Sequence, residues 1–245
     1  MWRARHGSEV TAPPVAAIVP VLNEARAIGG FLNALCAHDF AEIIVVDGGS
    51  DDATREIVQT CRTGHPDNRI VLIESARGRA RQMNAGAQQA TSGILMFLHA
   101  DTRLPDRAVE NCRTAIGGDR AWGRFDVRLD GRHALLPVVA FFMNWRSRLT
   151  GICTGDQGIF VRRDVFERIA GYAEISLMED IEISRRLKRI TRPARVRERV
   201  TTSARRWIES GVLRTILHMW WLRLRYFFGT PPEKIARSYP DVREP

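Results

Sequence analysis

The chain has 245 residues, 44% of them hydrophobic, so it can form one substantial core, and we expect a single α/β domain with a C-terminal extension. Its net charge of +9 and pI near 10.3 indicate an anionic partner, which leaves a phosphorylated substrate, an acidic membrane surface and nucleic acid as candidates. The four cysteines are widely spaced and form no CxxC pair, which argues against a disulfide framework or a zinc site and suits a reducing cytoplasm.

The N-terminal segment "MWRARHGSEVTAPP" carries charge but no apolar signal region follows it, so residues 1–14 are predicted to be a disordered leader. The longest uncharged apolar run, Ala134 to Met143, is too short to cross a bilayer, which needs about 20 residues. No membrane-spanning helix is therefore predicted.

Short apolar runs alternate with amphipathic stretches in the first part of the chain. The predicted strands are Val15 to Val21, Glu42 to Val46, Arg69 to Ile73 and Ile94 to Leu98. The predicted helices between them are Glu24 to Cys36, Asp52 to Cys61 and Arg79 to Ala90. Uninterrupted apolar strands separated by helices predict an α/β fold with an open, mostly parallel sheet, which binds ligands beyond the carboxyl ends of its strands.

The second half is less regular. "AWGRFDVRLDGR" alternates like an edge strand and turn, and "LLPVVAFFMNWRSRL" predicts a helix after Pro137. "DQGIFVRRDVFERIAGY" predicts a short strand and a helix closed by Gly171, and "LMEDIEISRRLKRI" predicts a further helix. We expect a domain over residues 15–205 and an amphipathic helix with a tail over residues 206–245.

Polar clusters follow all four predicted strands, and they begin at Asn23, Asp47, Ser75 and His99. Asp47 lies at the tip of a predicted central strand, where its carboxylate can accept hydrogen bonds from a nucleobase or a ribose hydroxyl. The alternative for the neighbouring acids Asp51 and Asp52 is capping of the next helix, which we expect of one of them.

Two further clusters suit a diphosphate. Asp101 follows the fourth strand, and a cation such as Mg²⁺ or Mn²⁺ bound there can share its other positions with diphosphate oxygens and water. Arg77, Arg79 and Arg81 open a helix, whose free N–H groups also favour anions, so one or more of them is expected to steady the diphosphate. The alternative for any single arginine is a solvated basic helix face.

Glu179 and Asp180 fall at a predicted helix start that Ser176 precedes. Acids are favourable in a first helical turn, so an N-terminal cap cluster is one interpretation. A general base that deprotonates an acceptor hydroxyl would also be a carboxylate, which is the second interpretation.

Four motifs in order carry a resemblance to a known family: "VPVLNE", "IIVVDGGSDDAT", "RARQMNAGAQQATSGILMFLHAD" and "MEDIEISRRL". Over Val15 to Leu187 the chain resembles the family 2 glycosyltransferases, which have the GT-A fold. "GDQGIFVRR", "MEDIEISRRLKR" and "SARRW" further resemble the bacterial arsenosugar-biosynthesis subgroup, near the related carotenoid glycosyltransferases.

The resemblance implies a role for each matching residue. It implies that Glu24 and Asp47 contact the nucleoside and that Asp101 is the metal-binding acid of the DxD motif, with Mg²⁺ or Mn²⁺ as cofactor. It implies an ED motif with Asp180 as the base and Glu179 beside it, and an inverting, single-displacement transfer. The other residues assigned to substrate binding on the same motifs are Pro20, Gly49, Arg77, Arg81, Asn84, Arg206 and Trp207.

The chain departs from the family pattern at two places. His99 replaces the first acid of DxD, so the metal site has one acidic ligand fewer. Arg206 and Trp207 match the QxxRW signature of processive members, but Ser203 stands at the glutamine position. The resemblance therefore implies transfer of a single residue, from a nucleoside-diphosphate sugar with a UDP-sugar favoured.

The segment "GVLRTILHMWWLRLRYFFG" predicts a C-terminal amphipathic helix. One face carries Leu213, Ile216, Leu217, Trp220, Leu224 and Phe227, and the opposite face carries Arg214, His218 and Arg225. Such a helix suits an anionic membrane surface and a lipid-like acceptor, and packing on the domain or in a dimer is the alternative. The predicted location is the cytoplasm, with peripheral binding to the inner face of the cell membrane.

Four other functions are alternatives to a glycosyltransferase. A basic cluster between Arg185 and Arg199 fits nucleic acid, but acids are interspersed and no familiar module accompanies it, so no nucleic-acid partner is predicted. A dehydrogenase would need GxGxxG after the first strand, and a pyrophosphorylase a Gly-rich basic loop, whereas Asn23 and Glu24 stand there. A noncatalytic nucleotide-sugar-binding relative is the remaining alternative, because His99 weakens the DxD motif.

Overall fold

The computed structural model of the chain describes residues 12–65, 67 and 69–239, apart from the side chain of Arg206. The leader predicted over residues 1–14 lies outside the described residues except for 12–14, which have no regular secondary structure. No helix among the described residues is both long enough and apolar enough to cross a bilayer.

The described strands belong to one sheet. They are β1 (Val15–Val21), β2 (Glu42–Asp47), β3 (Ile70–Glu74), β4 (Ile94–Phe97), β5 (Trp122–Asp130), β6 (Phe160–Arg162) and β7 (Ala194–Ser203). The described helices are α1 (Ile28–Cys36), α2 (Thr54–Gly64), α3 (Arg79–Gln89), α4 (Ala108–Ala115), α5 (Leu136–Thr150), α6 (Arg163–Arg168), α7 (Glu179–Ile190), α8 (Arg205–Glu209), α9 (Val212–Phe227) and α10 (Pro232–Ala236). A 3-10 turn over Gly155–Gln157 precedes β6.

The sheet has the order β3-β2-β1-β4-β6-β5-β7. All neighbouring pairs are parallel except those of β6, which runs antiparallel to both β4 and β5. The predicted α/β fold with an open, mostly parallel sheet is confirmed. Because β6 is the reversed strand, the carboxyl ends of β1, β2, β4, β5 and β7 share one edge of the sheet.

The first four predicted strands are confirmed to within a residue at each end. The first helix begins at Ile28, not at Glu24, because residues 24–27 form a turn in which the carbonyl of Glu24 accepts from the amides of Ala27 and Ile28.

The prediction that β5 is an edge strand is wrong. It pairs with β6 at Trp122 and Gly123, and with β7 along most of its length, so β7 is the edge strand. The C-terminal end of the basic segment Arg185–Arg199 lies in β7, where Ala194, Val196 and Val200 point into the protein and the arginines between them are exposed.

Apolar layers cover both faces of the sheet, as expected for strands without polar alternation. On one face α1, α2, α4 and α5 pack in a cluster that includes Leu32, Val58 and Val109. On the other face α3, α6 and α7 pack in a second cluster. Helix α3 approaches closely because Gly86 faces β1, where a Cβ atom would lie 2.6 Å from Ile18 Cγ2.

Helix α9 adds a third, smaller cluster. Leu222 of α9 and Ile235 of α10 pack against Met178 and Ile181 at the start of α7. Val212 and the half-buried Ile216 instead join the large core under α5. The C-terminal helices therefore rest on the N-terminal end of α7, which is the end that carries Glu179 and Asp180.

Candidate active site at the carboxyl edge of the sheet

Asp47 ends β2 and is completely buried, with an exposed fraction of 0%. Its Oδ2 accepts hydrogen bonds from the amides of Gly49 and Ser50, both at 3.0 Å, and its Oδ1 accepts from the Ser50 hydroxyl at 2.5 Å. Gly49 has φ of +87°, a conformation that favours glycine. Asp47 therefore shapes the loop, and its direct contact with a nucleoside stays a prediction that requires Ser50 to move.

The loops after β1 and β2 are tied to each other. The amide of Asn23 donates to the Ser50 hydroxyl at 3.0 Å, and the amide of Asp51 donates back to Asn23 Oδ1 at 3.1 Å. Helix α2 begins at Thr54 with Ala53 at the N-cap position and no side-chain cap hydrogen bond, so the expectation that Asp51 or Asp52 caps it is wrong. Asp52 lies one residue before the cap, and its Oδ1 accepts from the amide of Thr54 at 2.9 Å.

Glu24 and Pro20 lie beside this loop pair. The amide of Glu24 donates to the hydroxyl of Thr54 at 2.8 Å, which holds Glu24 against the start of α2. Pro20 is buried near the end of β1 and pairs in register with Val46 of β2. Pro20 therefore supports the loop from within the sheet and presents no side chain at the surface.

Gln82 is a supporting residue that the sequence analysis does not identify. Its Nε2 is buried and donates to the carbonyls of Val21 and Val46, both at 2.8 Å. These carbonyls lie at the ends of β1 and β2, so one α3 side chain fixes the spacing of the two strand ends. A single glutamine within a polar helix gives no sequence signal for this role.

Of the three arginines at the start of α3, Arg79 is the one that the structure places among the acids. Its Nη1 lies 3.6 Å from Oε1 of Glu179. Burial acts to lower the pKa of Arg79, but the charges of Glu179, Asp156, Asp180 and Asp101 raise it above its usual value. Acids from three separate parts of the chain therefore surround one guanidinium.

Arg77 and Arg81, the two arginines assigned to substrate binding, lie at the protein surface near Arg79 in the sequence. Arg77 is exposed in the loop before α3. Arg81 is more than half exposed and donates from Nε to Glu174 at 3.0 Å. The sequence spacing does not distinguish Arg79 from its neighbours, because that distinction depends on where α7 packs.

Asn84 has a structural contact that accounts for its amide group. Its Nδ2 donates to the carbonyl of Tyr172 at 2.9 Å, and its Oδ1 accepts from the amide of the same residue at 2.8 Å. Asn84 thus clamps the segment that leads to α7, and its assignment to substrate binding stays a prediction.

Asp101 and His99 follow β4 on the same edge. Asp101 is exposed, and its Oδ1 accepts a long hydrogen bond of 3.4 Å from the hydroxyl of Thr202 at the end of β7. His99 turns away from Asp101, because its Nδ1 lies 3.4 Å from Oδ1 of Asp156 in the 3-10 turn. Gly155 is required there, since a Cβ atom would lie 2.6 Å from His99 Nε2.

Asp180 is held at the N-terminus of α7. Its Oδ2 accepts from the amide of Gly155 at 3.1 Å, and its Oδ1 accepts from the amide of Ile181 at 2.7 Å. These two bonds orient the carboxylate towards the turn that contacts His99. Asp180 remains half-buried, so it can be reached by a substrate.

Glu179 differs from Asp180 in being buried, with an exposed fraction of 5%. Burial raises the pKa of Glu179, Arg79 acts to lower it, and Asp180 raises it again, so the net shift is upward. With Arg79 as its ion-pair partner, Glu179 is placed to position that arginine and has little access to a substrate.

We expect Glu179→Gln to stabilise the protein at neutral pH. Because the folded-state pKa lies above the usual value of 4.5, the parent gains stability from protonation below that value and loses it as the pH rises through the raised pKa. The variant cannot ionise, so its advantage should appear at neutral pH and vanish below about pH 4.5. Urea unfolding between pH 4 and 8 measures this, and a pH-independent difference would contradict it.

The matches to the QxxRW signature lie in α8. Trp207 is half-buried and packs against the core under α5, so it contributes to the domain and not to an open surface. The side chain of Arg206 lies outside the described residues, and its assignment to the substrate stays a prediction.

A hard divalent cation is compatible with Asp101. Within the described residues no group of three or more His, Cys, Asp or Glu side chains is arranged to hold a metal ion. An exposed carboxylate with one long protein contact suits Mg²⁺ or Mn²⁺, which bind to one or two carboxylates and complete their coordination with substrate phosphates and water. Asp101 is the residue that would hold it.

A separate cavity of about 670 Å³ lies between β5, the loop that follows it and α5. Its lining includes Leu129, Asp130, Pro137 and Phe141, and it contains none of the predicted site residues.

Solved glycosyltransferases share the fold. The chain superposes on the mannosyltransferase PcManGT from Pyrobaculum calidifontis, in complex with GDP-Man and Mn²⁺, with a TM-score of 0.63 and 22% identity, over 78% of this chain and 57% of that one. Staphylococcus aureus TarS 1-349 in complex with UDP-GlcNAc gives a TM-score of 0.63 and 18% identity, over 78% of this chain and 58% of that one. At these identities the likeness establishes the GT-A fold.

Relatives of known name are similar in sequence. The glycosyltransferase AglE of Haloferax volcanii is 33% identical over 112 residues, which are 44% of this chain and 37% of AglE. The β-monoglucosyldiacylglycerol synthase of Synechocystis sp. is 24% identical over 253 aligned positions, covering 88% of this chain and 51% of that protein. The chain thus spans about half or less of the length of these two relatives.

The family model described as "Glycosyl transferase family 2" matches residues 16–170. The matched region contains β1, β2, α3 and β4, with the loops that carry Asp47, Arg79 and Asp101. It covers more than half of the chain, and the expected GT-A fold is present. The chain therefore belongs to glycosyltransferase family 2.

Proposed function

We propose that the chain is an inverting, non-processive enzyme that moves one sugar from a nucleoside-diphosphate sugar to a hydroxyl group of a lipid-like acceptor. The observation that carries the proposal is the position of Arg79, which lies within the electrostatic reach of both Asp101 and Asp180. An arginine near both the proposed metal ligand and the proposed base can neutralise the charge of a leaving diphosphate.

Departure of the nucleoside diphosphate places negative charge on the leaving oxygen. Arg79 and the free amides at the start of α3 lie where they would neutralise that charge. A divalent cation at Asp101 supplies additional charge neutralisation when bound. The buried Glu179 orients the partly exposed Arg79, because Oε1 of Glu179 lies 3.6 Å from Nη1 of Arg79.

Asp180 takes the proton of the acceptor hydroxyl as the new bond forms. The amides of Gly155 and Ile181 hold the carboxylate in one orientation. A base must be positioned before its pKa matters, and these two bonds provide the positioning.

Single displacement inverts the configuration of the anomeric carbon, and one catalytic base suffices for it. Proton NMR of the sugar first released from a UDP-sugar by slow hydrolysis tests this directly, because water then takes the place of the acceptor. The proposal requires a product of inverted configuration at early times. A product of retained configuration would reject single displacement.

The donor is proposed to be a UDP-sugar, although the solved neighbours include both a GDP-Man complex and a UDP-GlcNAc complex. Transfer of a single residue is proposed because Ser203 replaces the glutamine of the processive signature. The place of the chain in the arsenosugar-biosynthesis subgroup is likewise part of the proposal.

A membrane surface is the proposed partner of α9. Its outer face is highly exposed, with fractions of 72% for Leu217, 71% for Trp220 and 71% for Phe227. Helix α5 adds a second exposed apolar ridge, formed by Val138, Phe141, Phe142, Trp145 and Leu149. The exposed Arg214 and the net charge of +9 complement anionic lipids, which favours binding to the inner face of the cell membrane from the cytoplasm. One relative is named as a synthase of a glycolipid, which supports a lipid-like acceptor.

We expect the double variant Trp220→Ser, Phe227→Ser to bind anionic vesicles about tenfold or more weakly, because it removes two aromatic side chains that would enter the interface. Co-sedimentation with vesicles of phosphatidylcholine and phosphatidylserine measures the binding. Ile190→Ser is the control, since Ile190 is exposed at the far end of α7. Equal sedimentation of parent and double variant would contradict the proposed surface.

A further inference from the structure

Two arginines outside every family motif lie beside the proposed base. Arg146 belongs to α5 and Arg223 to α9, and α9 reaches this place because Leu222, the residue before Arg223, packs against Met178 and Ile181. Arg146 Nη1 donates to the carbonyl of Ile152 at 3.3 Å, and Ile152 packs against the same cluster. Both guanidinium groups therefore approach the N-terminal end of α7.

The two side chains are half-buried and incompletely paired. Nε and Nη2 of Arg146 and Nε of Arg223 are buried without a hydrogen-bond partner. The pKa of Arg146 is lowered to about 10, first by burial and then by the adjacent charge of Arg223. Burial also lowers the pKa of Arg223, against the opposing effect of Asp180 and Asp156. Two positive charges thus lie near each other, and three of their nitrogen atoms are buried without a partner.

Another buried arginine, Arg124, differs from these two in having an ion-pair partner. Arg124 is completely buried, but its guanidinium forms an ion pair with Asp126, which also pairs with Arg148. Among the described residues neither Arg146 nor Arg223 forms an ion pair, although Nε and Nη2 of Arg124 are also buried without a hydrogen-bond partner. The nearby carboxylate of Asp180 already accepts from the amides of Gly155 and Ile181. Unpaired buried charge is costly, and an anionic ligand would compensate it.

We propose that Arg146 and Arg223 form a binding subsite for an anionic group of the acceptor, a phosphate or a carboxylate, next to Asp180. This inference rests on the proposed function, since it names the chemical class of the acceptor. Bidentate guanidinium groups are suited to both anions.

The subsite belongs to the acceptor and not to the donor diphosphate. The charge of Asp180 acts on Arg79, Arg146 and Arg223 alike, whereas the charge of Asp101, the proposed metal ligand, is a leading influence on Arg79 alone. Arg146 and Arg223 thus lie on the side of the base, and Arg79 lies between the base and the proposed metal ligand. The anion would hold the acceptor so that its hydroxyl meets Asp180.

The test uses the full chain with Mg²⁺ and saturating UDP, so that the donor position is filled. Phenyl phosphate and benzoate serve as probes in isothermal titration calorimetry. We expect at least one probe to bind beside UDP, and Arg146→Gln and Arg223→Gln each to weaken it by about tenfold to a hundredfold. The probe that binds tells a phosphate from a carboxylate. Arg189→Gln, an exposed change on α7, should leave the affinity unchanged.

Three outcomes overturn the inference: neither probe binds, UDP displaces the probe, or the variants bind it as the parent does. Thermal unfolding of the variants provides a second measurement, since loss of an unpaired buried charge should leave the midpoint equal or higher. A large drop in the midpoint for both variants would show a structural role and also overturn the inference. Failure of UDP itself to bind rejects the proposed function separately.

Discussion

Asp180→Asn is expected to lower the rate of UDP-sugar hydrolysis by about 10²–10⁴-fold and to leave the affinity for UDP unchanged. Asparagine preserves the size of the side chain but cannot accept a proton from the attacking hydroxyl. Its amide oxygen can still accept from the amide of Gly155 or of Ile181, so the start of α7 should keep its conformation. Released sugar is measured over time, and UDP affinity is measured by calorimetry.

Glu182→Gln is the matched control, because Glu182 lies in the same first turn of α7 and pairs with Arg186. It should hydrolyse the donor at the rate of the parent. Hydrolysis by Asp180→Asn within a few-fold of the parent would reject Asp180 as the base. A joint loss of UDP affinity and rate would show instead that Asp180 supports the donor position.

Asp101→Asn is expected to weaken the binding of a UDP-sugar in Mn²⁺ by roughly a hundredfold, because it removes the carboxylate that would hold the cation against the diphosphate. Removal of the metal from the parent with EDTA should cause a loss of similar size. The variant should be insensitive to EDTA, since the substitution and the chelator remove the same interaction.

Asp130→Asn is the control for this charge change. Asp130 ends β5 on the same sheet edge and lies 3.7 Å from Arg103, but it does not face the site formed by Arg79. It should keep both the donor affinity and the response to EDTA. If Asp101→Asn binds the donor as tightly as the parent, or still loses affinity in EDTA, the cation is held elsewhere.

The first half of the fold is predictable because its strands are buried on both faces. The uninterrupted apolar runs of β1 and β2 have no other stable placement, and Gly or polar residues end each of them. The position of β5 is not predictable in this way. Its alternating pattern fits an edge, and only its long pairing with β7, a strand that lies in a basic segment, makes it an inner strand.

The candidate site is predictable only where a motif sits at a strand end. Asp101 follows a strand and Asp180 lies at the start of a helix, as the sequence predicts. The residues that contact their carboxylates, Thr202 and Gly155, are distant in the sequence. Arg79 could not be separated from Arg77 and Arg81 without knowing where Glu179 is. The hydrogen bonds between Asn84 and Tyr172 join residues 88 positions apart, so no local sequence pattern predicts them.

The two arginines beside Asp180, Arg146 and Arg223, are likewise not predictable as a pair from the sequence. Arg146 is one of two arginines in a largely apolar helix, and Arg223 lies in a segment whose amphipathic pattern indicates a membrane surface. They meet because α9 folds back over the start of α7, a contact made by Leu222 and Ile235. Sequence periodicity describes one helix at a time and does not report such a contact.

The most direct test of the account is a thermal-unfolding screen of the full chain with UDP-, GDP- and TDP-sugars, each in Mn²⁺ and in EDTA. Ligand that binds only the folded state raises the unfolding temperature without any knowledge of the acceptor. The account predicts a metal-dependent rise for at least one sugar nucleotide, the largest for a UDP-sugar, and none in Asp101→Asn. No rise for any member of the panel would contradict the claim that these carboxylates and Arg79 form a sugar-nucleotide site.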